Sequence, residues 1–493
     1  MSKECYLEFV NRSFKSITVK VQVNSQDEWD DKKGKKPDAY FNNKKINFFD
    51  WNEMYMKHNY GYFRFTIKVE YENDKNSEAV YLPSKDNFFH MEEGLSSTTK
   101  RDRYYFKDYG FFVLVSRGNN LRRIGDENTD YGNSKGIFKV EVFSCSKRRL
   151  GIISDLHLFK YETDVLCKKF TDQIVKIQNR PELIAICGDL TANSRGNEKK
   201  LIDKFIENLE ARNFPVCEGF GNHDVQQYKT ASDIVKYVEK RTRQSDNKLE
   251  GYLISNSKLH YQWQVQLATA NYIVNVHCIM LNNVPGKGTI ECSDVITKKE
   301  VDKDNNIKYV AVSRSKKDMK EGIYERNPYD SLSFLYPLLN NYKLINEKYK
   351  ADKMKIREVA LLFFHINYNS ESLEEAVPER WWPYDSRNDF IKTLRDNKGC
   401  EVITSFFGHA HSSTTSKETL TSIDSGEEIK GPVGIRVATG LDYTSFADVA
   451  LIEKDTDCTL EIKVNYTQTT NITQQDNFIV NKTITISRKF NDL

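Results

Sequence analysis

The sequence predicts a two-part chain, an all-β region followed by an α/β layered domain, and three observations carry that prediction. From residue 1 to about 146, β-branched and aromatic runs alternate with polar turns. From about 150 onward, short apolar strands alternate with amphipathic helical stretches. Five short motifs built from Asp, Asn and His then stand just beyond the apolar strands of the second part.

In the first part the runs are YLEFV, SITVKVQV, YFRFTIKVEY, YGFFVLVS and GIFKVEVFS, separated by segments rich in Asn, Asp, Lys and Gly. They predict a mostly antiparallel, all-β sandwich-like domain over 1–146. The basic cluster Lys147, Arg148, Arg149 precedes the change of pattern and opens a second domain, 147–493. There LGIIS leads into a helical stretch with Leu166, Phe170, Ile174 and Ile177 at spacings of four and three. LIAIC follows, then a helix marked by Leu201, Ile202, Phe205, Ile206 and Leu209. The later strands are YIVNVHCIML, EVALLFF and VITSFF, with a helix around Leu332 to Ile345 between them. Residues 283–327 are strongly charged and read as an insertion, with a hairpin around Asp304-Asn305-Asn306. GIRVATG, DVALIEK, LEIKVNY and TITISRKF make the C-terminal segment strand-rich.

Of 493 residues, 73 are basic and 70 acidic, a balance of +3 that lacks the basic field of a dedicated nucleic-acid binder. A charged share of 29% with 39% hydrophobic excludes a disordered chain and a multi-span membrane protein. Nine cysteines, an odd number, several inside apolar runs, predict a reduced, cytoplasmic protein, as does an N-terminus without an apolar leader segment. The Asn-x-Ser/Thr triplets at Asn11, Asn465, Asn471 and Asn481 are therefore read as chance matches.

The five motifs are Asp155-Leu156-His157 after LGIIS, Gly188-Asp189 after LIAIC, and Gly221-Asn222-His223-Asp224 after VCEGF, then His365 ending EVALLFF and Gly408-His409-Ala410-His411 ending VITSFF. In open α/β sheets the strand ends bring such loops into one crevice. Imidazole and carboxylate suit manganese, zinc or iron, and clustered Cys is absent, which argues against a thiolate zinc site. One carboxylate has to bridge if two cations sit about 3.5 to 4 Å apart, and hydroxide between them is acidified and aimed, which is hydrolytic chemistry.

In that order the motifs resemble the DxH, GD, GNH(D/E), H and GHxH signature of the calcineurin-like metallophosphoesterase superfamily, over roughly 148 to 465. SDLHL and GDLTAN are closest in wording to its cyclic-nucleotide phosphodiesterase type. The resemblance implies a four-layer α/β/β/α sandwich and two metal ions. Asp155, His157 and His411 would hold the first, Asn222, His365 and His409 the second, with Asp189 bridging. It further implies that a metal-bridging hydroxide attacks a phosphomonoester or phosphodiester in line, with His223 as general acid oriented by Asp224. The absence of an Arg soon after Asp189, and GNHD in place of GNHE, disfavour a protein phosphatase. The absence of a ligating Tyr after the second motif, with His157 in the first, disfavours a purple acid phosphatase. The fourth motif usually reads HH in the superfamily and is Phe364-His365 here.

Two other readings remain open: a nuclease of the same superfamily, which the near-neutral charge opposes, and a metal-bound binding module. In the latter the N-terminal region recognises a membrane or a protein. Trp381, Trp382, Arg380 and Arg387, with Asn193, Tyr368 and Asn369, read either as pocket wall or as packed loop. His58, His90, His260 and His277 read as structural.

Overall fold

The computed structural model describes residues 4–12, 17–23, 41–46, 56–58, 62–69, 80–82, 89–92, 100–106, 111–118, 134–158, 161–174, 181–193, 195–212, 214–225, 253–256, 260–282, 297–301, 303, 307–311, 324–325, 331–366, 390–391, 393–394, 401–411, 415–424, 427–437, 440–441, 443–454, 457–468 and 482–490.

The first region is strand throughout its described residues. One sheet takes the order β4 (Met56–His58), β1 (Glu4–Arg12), β10 (Ser134–Ser144), β9 (Phe111–Gly118), β8 (Lys100–Phe106). The other takes the order β3 (Phe41–Ile46), β2 (Ile17–Val23), β5 (Tyr62–Val69), β6 (Val80–Leu82), with β7 (Phe89–Glu92) also on β5. Pairing is antiparallel except between β1 and β10, which run parallel.

Two larger sheets form the second region. The first has the order β13 (Val216–Glu218), β12 (Leu183–Ile186), β11 (Lys147–Ile153), β24 (Tyr443–Lys454), β25 (Asp457–Gln468), β26 (Lys482–Phe490). The second has the order β14 (Leu253–Asn256), β15 (Tyr261–Ala268), β16 (Ile273–Met280), β20 (Ile356–Phe363), β21 (Glu401–Phe407), β23 (Glu427–Arg436), β22 (Ser416–Asp424). Strands β11, β12 and β13 are mutually parallel, as are β16, β20, β21 and β23. Both sheets therefore deliver several strand ends to one edge.

The central strands are apolar without interruption because both of their faces are covered. Ile152, Leu183 and Ala185 join Val276, Cys278, Val359, Leu361 and Phe363 in a core between the sheets. The alternate residues, Ile153, Ile184 and Ile186, face helices α1 (Tyr161–Ile174) and α2 (Gly196–Ala211). On the second sheet Ala360 and Leu362 face a helix at Ser331–Ala351, here α4, which follows the single-turn α3 (Asn222–Val225). The layers are thus helix, sheet, sheet, helix. No described helix is long and apolar enough to cross a membrane.

The face of α1 differs from the expected one by a residue. Leu166 is 38% exposed, and Cys167, Phe170 and Ile174 are buried. Ile177 lies outside the described residues. In α2 the buried face is Ile202, Phe205, Ile206 and Leu209, each worth about 1.5–3 kcal/mol of burial for the large side chains. Within 283–327, β17 (Thr297–Val301) and β18 (Ile307–Ala311) pair antiparallel on either side of Asp304, and β19 (Tyr324–Glu325) pairs with β17.

The two regions meet at the N-terminal ends of β11 and β12. Phe112, Leu114 and Phe143 belong to the same core cluster as Leu150, Trp263 and Val449. The Arg148 guanidinium lies 4.9 Å from the Phe112 ring centroid and 4.7 Å from that of Phe143. It donates to both carboxylate oxygens of Glu182 and, at 3.2 Å, to the carbonyl of Gln266. Beside it, Arg149 donates to Asp448 at 2.5 and 2.7 Å.

Candidate metal centre

Each motif residue stands where a parallel strand ends. Asp155 and His157 follow β11, Asp189 follows β12, and Asn222, His223 and Asp224 form α3 after β13. His365 follows β20, and His409 and His411 follow β21. The backbone there is bent sharply. Among the described residues the non-glycine positions with positive φ are Asp155 (53°), His157 (44°), Asp189 (52°), His409 (71°), His411 (45°) and Lys353 (55°). All but the last are candidate ligands, so strain is concentrated at this edge, where surrounding structure must hold it in place.

Main-chain bonds between the loops supply that hold. Asp155 N–H donates to Gly188 O and His157 N–H to Asp189 O, both at 3.0 Å. Gly408 N–H donates to His365 O at 3.0 Å, which ties the two motifs of the second sheet. The approach is close enough to require glycine at 408. A Cβ there would collide with Ser154 Oγ and Asp155 Oδ2.

Donor atoms converge in two groups. The ligand atoms of Asp155, His157, Asp189 and His411 all lie within 4.8 Å of one another, and so do those of Asp189, His365 and His409. Asp189 belongs to both. Its Oδ1 accepts the His223 N–H at 2.9 Å, while Oδ2 is buried and faces imidazole nitrogens, His365 Nε2 at 3.0 Å and His157 Nε2 at 3.7 Å. Among the described residues, none donates to the buried Asn222 Oδ1. His157 Nε2 and His411 Nε2 face each other at 2.9 Å, and His365 Nε2 is 3.3 Å from His409 Nδ1. Buried acceptors with imidazole nitrogens turned toward them fit cations as the missing partners.

The electrostatics point the same way. Burial pushes His157 down to about 4 against the opposing pull of the Asp189 carboxylate, and burial together with the His365 charge pushes His409 down to about 3, so both present lone pairs at neutral pH. Burial alone would lower His365, but the Asp189 carboxylate outweighs it and pushes the ring up to about 9. Asp189 is held below the usual carboxylate range, burial being overcome chiefly by His365, whereas burial raises Asp155. His365 is oriented through Nδ1, 2.9 Å from the carbonyl of Cys187.

Asp224 and His223 stand behind this cluster. His223 lies edge-on to His157, ring centroids 4.9 Å apart, and its Nδ1 is 2.7 Å from the carbonyl of Ala192. The Asp224 carboxylate accepts from the main chain: from Leu190 N and Gly221 N at 3.1 and 2.9 Å, and from Thr191 N at 2.7 Å. Thr191 Oγ1 donates to it at 2.9 Å. Burial raises this carboxyl to about 6. Trp381, Trp382, Arg380, Arg387, Tyr368 and Asn369 lie outside the described residues, and Asn193 donates its N–H to Glu198 at 2.9 Å. His277 sits elsewhere, stacked at 3.8 Å on Tyr342 and 2.5 Å from Glu358. His260 is buried and accepts from Asn282 N–H at 3.1 Å. The side chains of His58 and His90 lie outside the described residues.

A family model described as calcineurin-like phosphoesterase matches residues 148–413, which contain all five motifs. The chain belongs to the calcineurin-like phosphoesterase family. The family is metal-dependent and acts on phosphorylated substrates, and the Asp and His groups above are this chain's candidates for holding metal. Among solved structures, the chain is similar to the purple acid phosphatase PPD1 of yellow lupin (Lupinus luteus) seeds, at 9% identity over 100% of this chain and 97% of that one, TM-score 0.38. It is also similar to GAP50, the anchor in the inner membrane complex of Plasmodium, at 10% identity over 69% and 89%, TM-score 0.34. A third is the calcineurin-like phosphoesterase YfkN of Bacillus subtilis, at 10% identity over 70% and 90%, TM-score 0.29. No curated protein matches it in sequence.

Thr191 and the carbonyl of Ala192 are the parts of this phosphoesterase site that motif reading missed. A Thr two residues after a ligand looks like any loop residue, and a main-chain acceptor leaves no trace in the sequence.

Proposed function

We propose that the chain is a dinuclear-metal-dependent phosphoester hydrolase using manganese, zinc or iron. Asp155, His157 and His411 hold one ion, Asn222, His365 and His409 the other, and Asp189 is shared between them. The observation that carries this reading is that Asp189 falls in both donor groups, its buried Oδ2 facing imidazole nitrogens of each, His157 and His365. Held by these residues, the cations would supply Lewis acidity for a phosphoryl oxygen and for the attacking water.

The chain's own groups do the rest. Ala192 O can only accept, so Nδ1 of His223 carries hydrogen and Nε2 is the nitrogen that can give up a proton. In the overall reaction the oxygen of water bonds to phosphorus and the bond from phosphorus to the ester oxygen breaks. That oxygen keeps the electron pair and takes the Nε2 proton of the doubly protonated His223 ring, while the attacking water gives a proton to solvent and solvent recharges the ring, leaving an alcohol and a phosphate. Buried thiols at Cys187, Cys278 and Cys458 support a reduced, cytoplasmic setting.

Hydrolysis of bis-p-nitrophenyl phosphate and p-nitrophenyl phosphate after loading with manganese, zinc or iron tests the proposal. Turnover should fall by about a thousandfold in Asp189→Ala and by roughly a hundredfold or more in His223→Ala. The ratio between the two compounds assigns diester or monoester preference. A chain with two metals by elemental analysis that turns over neither refutes it.

A further inference from the structure

Resting on that reading, we infer that Thr191 is a positioning residue for His223, acting through the Asp224 carboxylate and the main-chain carbonyl of Ala192. The ring nitrogen Nδ1 has that carbonyl at 2.7 Å, and the carbonyl lies in the loop between Asp189 and α2. Such a loop holds a side chain in one orientation only if the loop itself is fixed.

The structure fixes it from one point. A single carboxylate takes Leu190 N–H and Gly221 N–H on one oxygen, and Thr191 N–H and the Thr191 hydroxyl on the other. Thr191 Oγ1 also lies 3.5 Å from the carbonyl of His223. Both side chains are wholly buried, so these bonds are charge-assisted and shielded from water. Leu190 and Thr191 immediately precede Ala192, and Gly221 precedes the Asn222-His223 pair. The same carboxylate therefore joins the main chain that carries His223 to the main chain that orients its ring. From the other side, His157 N–H and Leu158 N–H donate to Asp189 O and Leu190 O at 3.0 Å, which stiffens the start of the loop.

A shift of this carbonyl alone would turn the ring, which the Nδ1 contact holds. The expected signature is a defect that grows with the difficulty of protonating the leaving oxygen, since misplacing a reacting group by about 1 Å can cost a hundredfold. Thr191→Val keeps the shape and removes the hydroxyl; Thr191→Ser restores it.

The experiment uses the full chain, zinc-loaded, as wild type, His223→Gln, Thr191→Val and Thr191→Ser. Thr191→Val should lower kcat on phenyl phosphate esters about tenfold or more and on p-nitrophenyl esters several-fold less. KM should stay within about twofold, and Thr191→Ser should recover most of the loss. In parallel, two-bond proton–nitrogen NMR of protein labelled at histidine nitrogen reads the tautomer of His223, identified by its disappearance in His223→Gln. It should be the Nδ1–H form in wild type and Thr191→Ser, and mixed in Thr191→Val. Equal losses on the two ester series, or an unchanged tautomer in Thr191→Val, overturn the inference while leaving the esterase standing. If wild type hydrolyses neither series the esterase reading fails, and the tautomer alone decides the positioning claim. Should Thr191→Val not fold, Asp224→Asn is read in its place by the same two criteria.

Discussion

At the N-terminal ends of β11 and β12 each buried charge meets a full opposite charge, Arg148 with Glu182 and Arg149 with Asp448. At the C-terminal ends of the same strands Asp155 and Asp189 are buried as deeply, yet the charges that act on them come from histidines and from each other. The strands are a few residues long, so the contrast is drawn across one strand length. One end is compensated by guanidinium–carboxylate pairs; the other sets carboxylates against imidazoles in a strained backbone, the arrangement that the proposed metal binding would use.

Breaking the base should have the largest effect on folding. Arg148→Met leaves Glu182 buried alone and should cost about 3–5 kcal/mol in denaturant unfolding, while turnover per folded molecule stays near wild type. Adding Glu182→Leu should recover much of that loss. A comparable loss of turnover per folded molecule in either variant would mean that the two ends are not independent.

The rim should instead respond to pH. His365 is raised in the folded chain, so its contribution to metal-free stability is full below about 6.5 and fades as pH rises through about 9. A cation must displace that proton. Metal affinity should therefore climb about tenfold per pH unit from 6.5 to about 9, with release of about one proton near pH 7.5, since His157 and His409 are already neutral there. Calorimetry in buffers of different ionisation enthalpy counts the proton.

Gly408→Ala presses a methyl group on Ser154 and Asp155 and should weaken metal binding about 10- to 100-fold by equilibrium dialysis. The smallest effect belongs to the one strained residue outside the rim. Lys353, just past α4, has φ 55°, and Lys353→Gly should raise stability by about 0.5–1 kcal/mol with unchanged activity. Glycine at a rim position should instead lower activity, because there the side chain is a proposed ligand.

The sequence made the rim legible and the base nearly invisible. Ligand chemistry restricts residue type, and glycine spacing marks the turns, so Asp155, Asp189, His365 and His409 stand out in a linear reading. Lys147, Arg148 and Arg149 read only as a boundary, since the partners that bury two of them are 34 and 299 residues away. The alternation of strands and helices was accessible through apolar runs, because period-two alternation vanishes when both faces are covered; the helix, sheet, sheet, helix layering followed only from the family resemblance, and strand order was not read. The face of α1 was misjudged by one residue for a related reason: Leu166 is apolar but exposed, and the smaller Cys167 takes the core position. Asp224 was visible in its motif, but its partners were not, because they are main-chain amides.

Two residues, Cys145 and Ser146, separate β10 from β11, and each carbonyl is already taken: Cys145 O by Ala268 N–H at 2.7 Å and Ser146 O by Leu451 N–H at 2.8 Å. A protease needs an extended, detachable stretch of chain to seat in its cleft, and this junction offers none. Limited digestion should therefore leave it intact, so that the N-terminal strands and the phosphoesterase travel as one piece, with the strained rim at the end of β11 away from the join.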